Sequence, residues 1–225
     1  MPETSHLMSI QGAAQQPLPS TRSAVADNRL AEINQVAATT GDDPELDTLI
    51  LRLHTETACR RGGALSLRPA DLDREQCLVL LREKGETVRW QPVSPTLMGA
   101  LVRHAEERHA PPDGRLLRYR DGQPVTYRRY DGLWVRIGRH LPWVRTQQIS
   151  THWIRHTTLT WVERNVGFAV AHAYAGHTNG TGDTGSATST YVRATLTEVA
   201  AALAALTGEP HPLAEPEAGE QGSTG

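Results

Sequence analysis

The sequence contains very little lysine. Of its 23 lysine and arginine residues, only Lys84 is a lysine. Arginine suits bidentate binding of phosphate groups, although codon usage in a GC-rich genome produces the same bias. The composition therefore permits a phosphate-binding function without requiring one.

Cysteines and long apolar runs are also scarce. The two cysteines, Cys59 and Cys77, are too few for a disulfide framework and favour a reducing cytoplasm. No apolar run is long enough to cross a bilayer, and the N-terminus lacks the basic start and apolar core of a secretory signal. We therefore predict a cytoplasmic chain with no membrane partner.

The formal net charge of −2 is unevenly distributed along the chain. Residues 1–44 carry two arginines and five acidic residues, a net of −3, and residues 209–225 carry four acidic residues and no basic one, a net of −4. Residues 45–208 carry 21 basic and 16 acidic residues, a net of +5. We predict one folded domain over 45–207, preceded by a disordered or weakly helical segment and followed by a disordered acidic tail from 208 to 225.

The spacing of apolar residues predicts a mainly α-helical fold with a small antiparallel β-hairpin or sheet, an α+β architecture. Helical periodicity covers residues 45–59, 64–67, 95–110, 126–141, 151–164, 167–175 and 189–206. N-terminal to these, only a short amphipathic turn around Leu30 and Ile33 is expected. The Arg-Arg-Gly-Gly stretch over 60–63 predicts a turn.

Two strand-like runs, 78–83 and 88–93, are joined by a short polar stretch. Their length and spacing predict a β-hairpin with Lys84 at its bend.

His152 and Arg155 are three residues apart and share one face of a predicted helix. Both fall in its first turn, where free backbone N–H groups and the helix dipole favour an anion. Tyr191 follows after a Gly/Thr/Ser-rich loop that could bring it toward such a site. These residues together favour chemistry on a phosphate group.

A tyrosine phenol is a weak nucleophile at neutral pH because its unperturbed pKa is about 10. Attack on a phosphodiester would need a base or a cationic pocket. Two arginines can hold the non-bridging oxygens of five-coordinate phosphorus, and a lysine can protonate the leaving oxygen.

The stretch from Ala58 to Asp73 ends in Leu-Ser-Leu-Arg-Pro-Ala-Asp-Leu-Asp and resembles the first motif of the tyrosine recombinase (phage integrase) family. Aligned on that end, the family's catalytic arginine falls on Arg60. Lys84 lies in the hairpin where the family keeps its catalytic lysine. The resemblance implies that Arg60 stabilises a phosphate and that Lys84 protonates the leaving 5′-hydroxyl.

The second half of the chain is similar to the same family. The pattern His-x-x-Arg-His beginning at His152 matches one family box, Ala-Gly-His ending at His177 matches another, and Tyr191 falls at the nucleophile. The resemblance implies that His152 accepts the tyrosine proton and that Arg155 and His177 bind the phosphate. Tyr191 would then form a 3′-phosphotyrosyl intermediate.

The resemblance also implies the activity and the partners. We expect site-specific DNA recombination or integration on double-stranded DNA, by a homo-oligomer that is a tetramer on paired sites. It implies no metal, no nucleotide cofactor and no small-molecule substrate.

Two departures from the family pattern motivate alternatives. The family usually has an acidic residue three positions after its first arginine, where this chain has Gly63. The 44 residues ahead of the predicted domain are too few and too polar for the family's helical DNA-binding domain. A DNA-binding protein that no longer cuts is therefore one alternative, and a type IB topoisomerase-like enzyme is another. By itself, the Arg60–Arg61 pair could also be a solvated helix end.

The histidines raise the alternative of a metal site. His152 and His156 have ligand spacing, but the zinc-protease pattern needs a glutamate where Trp153 stands. His172 and His177 add no clear ligand pattern. We predict that His156 is a buried, hydrogen-bonded histidine behind the active face.

Gly180, Gly182 and Gly185 formally match a dinucleotide-binding fingerprint. They follow a predicted helix, and no βαβ unit surrounds them, so we reject that function. Taken alone, Tyr191 would be a helix-packing aromatic residue and Lys84 a turn lysine. The order of the motifs favours the catalytic interpretation of both.

Overall fold

A computed structural model describes residues 27–83, 87–176 and 194–214 of this chain. These residues form helices and a three-stranded antiparallel sheet. The helices are α1 (Asp27–Thr39), α2 (Pro44–Thr57), α3 (Arg61–Ser66), α4 (Pro95–Glu107), α5 (Tyr127–His140), α6 (Pro142–Thr146), α7 (Thr151–Asn165), α8 (Phe168–Tyr174) and α9 (Leu196–Thr207), and the strands are β1 (Leu72–Asp73), β2 (Leu78–Glu83) and β3 (Thr87–Pro92). The predicted α+β fold class is confirmed.

Helix α2 lies at the centre and packs against α1, α4 and α7. It begins where the Asp43 side chain accepts a hydrogen bond from the backbone N–H of Leu46, with Pro44 in the first turn. Both features stabilise a helix N-terminus. It ends at Ala58, which adopts a left-handed backbone with φ 48°. This C-terminal turn directs the chain toward Arg60.

The predicted hairpin is present, with Leu81 paired to Arg89 and Glu83 paired to Thr87. The short strand β1 adds to the other edge of β2, a pairing the sequence did not predict. Side chains of a strand alternate between the two faces. Val79, Leu81 and Glu83 are accordingly all buried, so a carboxylate ends the inward face of β2.

The apolar side chains form two clusters. The larger draws on α1 to α7 and the sheet, from Ile33 to Ile154. The smaller joins α7, α8 and α9 with Ala58 and includes Tyr174 and Leu203. The second cluster holds the C-terminal helices against the end of α2.

Helix α1 corrects the sequence-based expectation for the N-terminal segment. A short amphipathic turn was predicted, whereas α1 has 13 residues and buries Ile33 and Ala37 completely. The sparse apolar positions hid the helix because its stability comes from packing on the larger cluster. The domain boundary at residue 45 stays a prediction.

The 60–63 stretch is also different from the predicted turn. Arg60 is the N-cap of α3, and residues 61–63 form its first turn. Glycine disfavours helix only moderately, and tertiary contacts to β2 override it here. None of the helices in the described ranges is both long and apolar enough to span a membrane.

Candidate functional site

A cleft of about 580 Å³ opens between the α2–α3 junction, α5 and the start of α7. It is lined by Cys59, Arg60, Arg61, Asp131, Trp134, Val135, Ser150, Thr151, His152 and Arg155. Three of the six predicted site residues, Arg60, His152 and Arg155, therefore lie around one cavity.

Arg155 is buried beneath this cleft. Its guanidinium donates hydrogen bonds to the carbonyl oxygen of Ala58 and, at 2.8 Å, to that of Ala175. It thus joins the end of α2 to the end of α8. Burial lowers the pKa of Arg155 to about 10, helped by the positive charges of Arg60 and Arg89 and opposed by Glu83. The guanidinium stays charged at neutral pH.

Arg60 precedes α3 with an extended backbone. Its side chain is 41% exposed and lines the cleft. Its Nη1 donates to Oε2 of Glu83 at 3.3 Å, and its backbone N–H donates to Oε1 of Glu83 at 2.5 Å. The Glu83 side chain is fully buried. A buried carboxylate therefore holds both the backbone and the side chain of Arg60.

A second arginine reaches the same carboxylate. Nη2 of Arg89 lies 3.7 Å from Oε2 of Glu83, and the Arg89 side chain is only 11% exposed. Burial lowers the pKa of Arg89, while Glu83 raises it. Its Nε has no hydrogen-bond partner within the described residues.

Sequence reasoning missed both Glu83 and Arg89. The sequence signal that could have identified Arg89 was the register of the hairpin. Directly paired residues of neighbouring strands share a face of the sheet, and Leu81 pairs with Arg89. Since Leu81 had to be buried, Arg89 had to point inward with it.

Gly176, at the end of α8, lies close to the Arg89 side chain. Its backbone has φ 68°, and a Cβ there would lie 2.7 Å from Cδ of Arg89. Glycine is therefore required both by conformation and by space. His177 follows directly in sequence, and Arg155 holds the carbonyl of the preceding Ala175.

His152 is exposed in the first turn of α7, and its Nε2 lies 3.0 Å from Nε2 of His156. The prediction for His156 was right about a hydrogen bond and wrong about burial, because His156 is only partly buried and its ring meets His152 at a centroid distance of 4.6 Å. Residues four apart on a helix are neighbours on one face. In the described ranges, no group of three or more His, Cys, Asp or Glu side chains is placed to hold a metal.

The buried thiol and imidazole beside the cleft have structural roles. Burial raises the pKa of Cys59 to about 11, so it stays a protonated thiol. Burial lowers the pKa of His54 to about 4, so its ring is neutral. Its Nδ1 contacts the carbonyl of Cys59 and its Nε2 the hydroxyl of Tyr130, each at 3.0 Å. Neither group suits nucleophilic or base chemistry at neutral pH.

Three predicted site residues, Lys84, His177 and Tyr191, lie outside the described residues. Lys84 directly follows Glu83 in sequence, and His177 directly follows Gly176. Two of the three are thus adjacent in sequence to residues that lie beside Arg89.

The arrangement can bind an anion. Arg60 and Arg89 both pair with the buried carboxylate of Glu83, and the buried Arg155 guanidinium lies near them, which leaves an excess of positive charge. The first turn of α7 adds free N–H groups and the positive end of its dipole. A phosphate in the cleft could therefore accept charge-assisted hydrogen bonds.

Solved structures with the same fold act on DNA. The XerH site-specific recombinase bound to difH substrate aligns with a TM-score of 0.57 and 18% identity, covering 68% of this chain and 47% of that one. The Tn1549 transposon integrase in complex with circular intermediate DNA aligns with a TM-score of 0.59 and 18% identity, covering 73% and 61%. A lambda integrase dimer bound to a COC′ core site aligns with 0.54 and 14%, covering 72% and 47%.

The fold is therefore that of a tyrosine recombinase catalytic domain. The sequence matches the phage integrase family over residues 25–196, most of the chain, and the protein belongs to that family. The resemblance inferred from the motifs is confirmed. No curated protein sequence matches it. The chain spans 47% of the XerH and lambda integrase chains and 61% of the Tn1549 integrase chain.

Proposed function

We propose that this protein recombines double-stranded DNA at specific sites through a covalent 3′-phosphotyrosyl intermediate, without a metal. The observation that carries the proposal is a cleft lined by Arg60 and Arg155, with Arg89 paired to the same buried carboxylate, Glu83, as Arg60. The three arginines come from distant parts of the chain, and their combined positive charge exceeds the negative charge of Glu83. An excess of buried positive charge is suited to a phosphate.

Arg60 and Arg155 would hold the non-bridging oxygens of the scissile phosphate, because both line the cleft. His152, on the exposed first turn of α7, would accept the phenol proton. Its ring contacts His156, and a general base is commonly oriented by a further group of this kind.

The roles of Lys84, His177 and Tyr191 rest on the family's sequence motifs. Tyr191 would attack the phosphorus and displace the 5′-oxygen, to which Lys84 would give a proton. His177 would donate a hydrogen bond to the phosphate. The new phosphotyrosyl bond replaces the broken P–O bond, so a second DNA end can reverse the reaction without an external energy source.

We further propose that residues 45–207 form the catalytic domain, that the protein works in the cytoplasm as a tetramer on paired DNA sites, and that it needs no cofactor. The DNA-bound recombinases with this fold support the choice of partner.

The test is a nicked suicide duplex carrying the protein's attachment region, incubated with the full chain in the presence of EDTA. We expect a protein–DNA band that survives denaturation. Tyr191→Phe should abolish the band. Tyr119→Phe should keep it, since Tyr119 lines a separate cavity beside Arg129.

Other outcomes would redirect the proposal. A band that persists in Tyr191→Phe would remove Tyr191 as the nucleophile. Tight DNA binding without any band would favour a DNA-binding protein that does not cut. Relaxation of supercoiled plasmid without site preference would favour a topoisomerase-like activity, and a band that EDTA eliminates would contradict metal independence.

A further inference from the structure

We propose that Glu83 is the positioning residue of Arg60, and that position 63 is glycine because the Glu83 carboxylate occupies the space there. The inference rests on the proposed role of Arg60 in binding phosphate. It assigns a function to a strand residue that none of the sequence motifs included, and it accounts for the missing acidic residue three positions after Arg60.

Glu83 contacts Arg60 through both carboxylate oxygens. Oε1 accepts from the backbone N–H at 2.5 Å and Oε2 from Nη1 at 3.3 Å. A side chain held at its backbone and at its guanidinium has little freedom to turn away from the cleft. Complete burial of Glu83 keeps water from competing for these bonds.

An acidic residue at position 63 would also hold Arg60 in place, but from within helix α3. Arg60 is the N-cap of α3 and residue 63 is its third position. In a capping box, the acid at the third position accepts a hydrogen bond from the N-cap backbone N–H. Here that N–H is bonded to Glu83 instead. The strand therefore supplies the carboxylate that the helix lacks.

The space around Gly63 agrees with a carboxylate that comes from strand β2 instead of helix α3. A Cβ on Gly63 would lie 3.1 Å from Cγ and 3.2 Å from Oε1 of Glu83, closer than ordinary contact. Gly63 lies within helix α3, and its backbone does not have the positive φ that would demand glycine. A larger residue at position 63 would have to displace the Glu83 side chain by a few tenths of an ångström, so glycine leaves room for the carboxylate.

Moving the carboxylate back into the helix gives a direct test. The full-length variants are Glu83→Ala, Glu83→Gln, the relocation Gly63→Glu/Glu83→Ala, and its uncharged match Gly63→Gln/Glu83→Ala. The first readout is NMR of arginine side chains in protein labelled with ¹⁵N-arginine, with the Arg60 signals assigned through Arg60→Lys. This readout requires no activity.

We expect restricted rotation of the Arg60 guanidinium in the wild type, averaged signals in Glu83→Ala, and restored restriction in the relocation variant only. Glu83→Gln should give weaker restriction because it keeps an acceptor but loses the charge. It also serves if Glu83→Ala does not fold. Identical Arg60 signals in the wild type and in Glu83→Gln or Glu83→Ala would overturn the inference, as would free rotation in the wild type.

The second readout compares the single-turnover rate of covalent-complex formation with the affinity for DNA. Misplacement of a catalytic group by about 1 Å can cost about 100-fold in rate, so Glu83→Ala should slow the reaction by up to that factor while DNA affinity changes much less. The relocation variant should recover most of the rate and its glutamine match should not. If the wild type forms no covalent complex, the proposed function fails, whereas the NMR result still decides the role of Glu83.

Discussion

Single side chains decide the charge state of this cleft. Arg155 remains cationic although burial lowers its pKa to about 10, and Cys59 remains neutral because burial raises its pKa to about 11. The same desolvation disfavours the charged form in each case. The guanidinium keeps its charge because its unperturbed pKa is far above neutral and Glu83 lies nearby. Burial thus leaves a cationic guanidinium beside an inert thiol.

The buried histidines predict how stability depends on pH. Burial lowers the pKa of both His54 and His104 to about 4. The unfolded chain, with histidine pKa values near 6.5, therefore binds more protons than the native state between these limits. The stabilisation by each neutral histidine is fully present above about pH 6.5 and is lost as the pH falls toward 4. Each contributes up to roughly 3 kcal/mol.

Urea unfolding at a series of pH values checks this prediction. The wild type should lose stability between pH 7 and pH 4.5 more steeply than His54→Gln and His104→Gln, which lack one titrating group each. The difference between curves isolates the histidines from the carboxylates that titrate in the same range. Parallel curves would mean that the native pKa of each ring is close to its unfolded value, as for an exposed histidine.

At the scale of elements, strand β3 has an inverted pattern. Val88 and Trp90 are 56% and 42% exposed, whereas Arg89 and Gln91 point inward. Strands at a surface normally bury their apolar face. The inversion follows from the pairing with β2, whose inward face ends in Glu83 and requires a cationic partner. The ion pair between Arg89 and Glu83 thus takes the inward position instead of Val88 and Trp90.

Paired substitutions in the hairpin test this orientation. Leu81→Ala should lower the free energy of unfolding by about 2–5 kcal/mol, because Leu81 is fully buried and the change leaves a cavity. Val88→Thr should change it by less than about 0.5 kcal/mol, as for an exposed position. Chemical denaturation measures both. A loss from Val88→Thr as large as that from Leu81→Ala would place Val88 on the inner face.

Over the whole chain, the negative charge of the two terminal segments offsets the positive charge of the central segment. The net charge of −2 predicts weak attraction to nucleic acid, yet residues 45–208 carry a net of +5. Binding to DNA releases counterions in proportion to the phosphates that basic side chains contact. Under the proposed function, the local distribution of charge, rather than the total, should therefore determine DNA affinity and its dependence on salt.

Salt titration of DNA binding tests the contact that we assign to Arg60. Arg60→Ala should reduce the slope of log affinity against log salt concentration by about one, since one phosphate contact is lost. Arg60→Lys should keep the slope because it keeps the charge, although it loses bidentate geometry. Fluorescence anisotropy on a labelled duplex gives both slopes. An unchanged slope in Arg60→Ala would show that Arg60 does not meet a phosphate in the complex.

Much of the fold follows from local patterns in the sequence. The hairpin, the long helices at 44–57, 95–107 and 127–140, and the start of α7 near residue 151 agree with the spacing of apolar residues and prolines. Those patterns are local, since a helix or strand exposes one periodic face to a core. Helix α1 was missed because two buried side chains, Ile33 and Ala37, give too weak a pattern without the core they pack on.

The sequence by itself determined the family, the fold class and the order of the motifs, because these depend on residue types at fixed spacings. Only the tertiary structure decided that Arg60 and Arg89 pair with Glu83 beside the buried Arg155, and that Glu83 stands in for an acid at position 63. The physical reason is distance along the chain. Contacts between residues 23 positions apart or more, such as Arg60 with Glu83, depend on how α3 packs against β2, which no local pattern encodes.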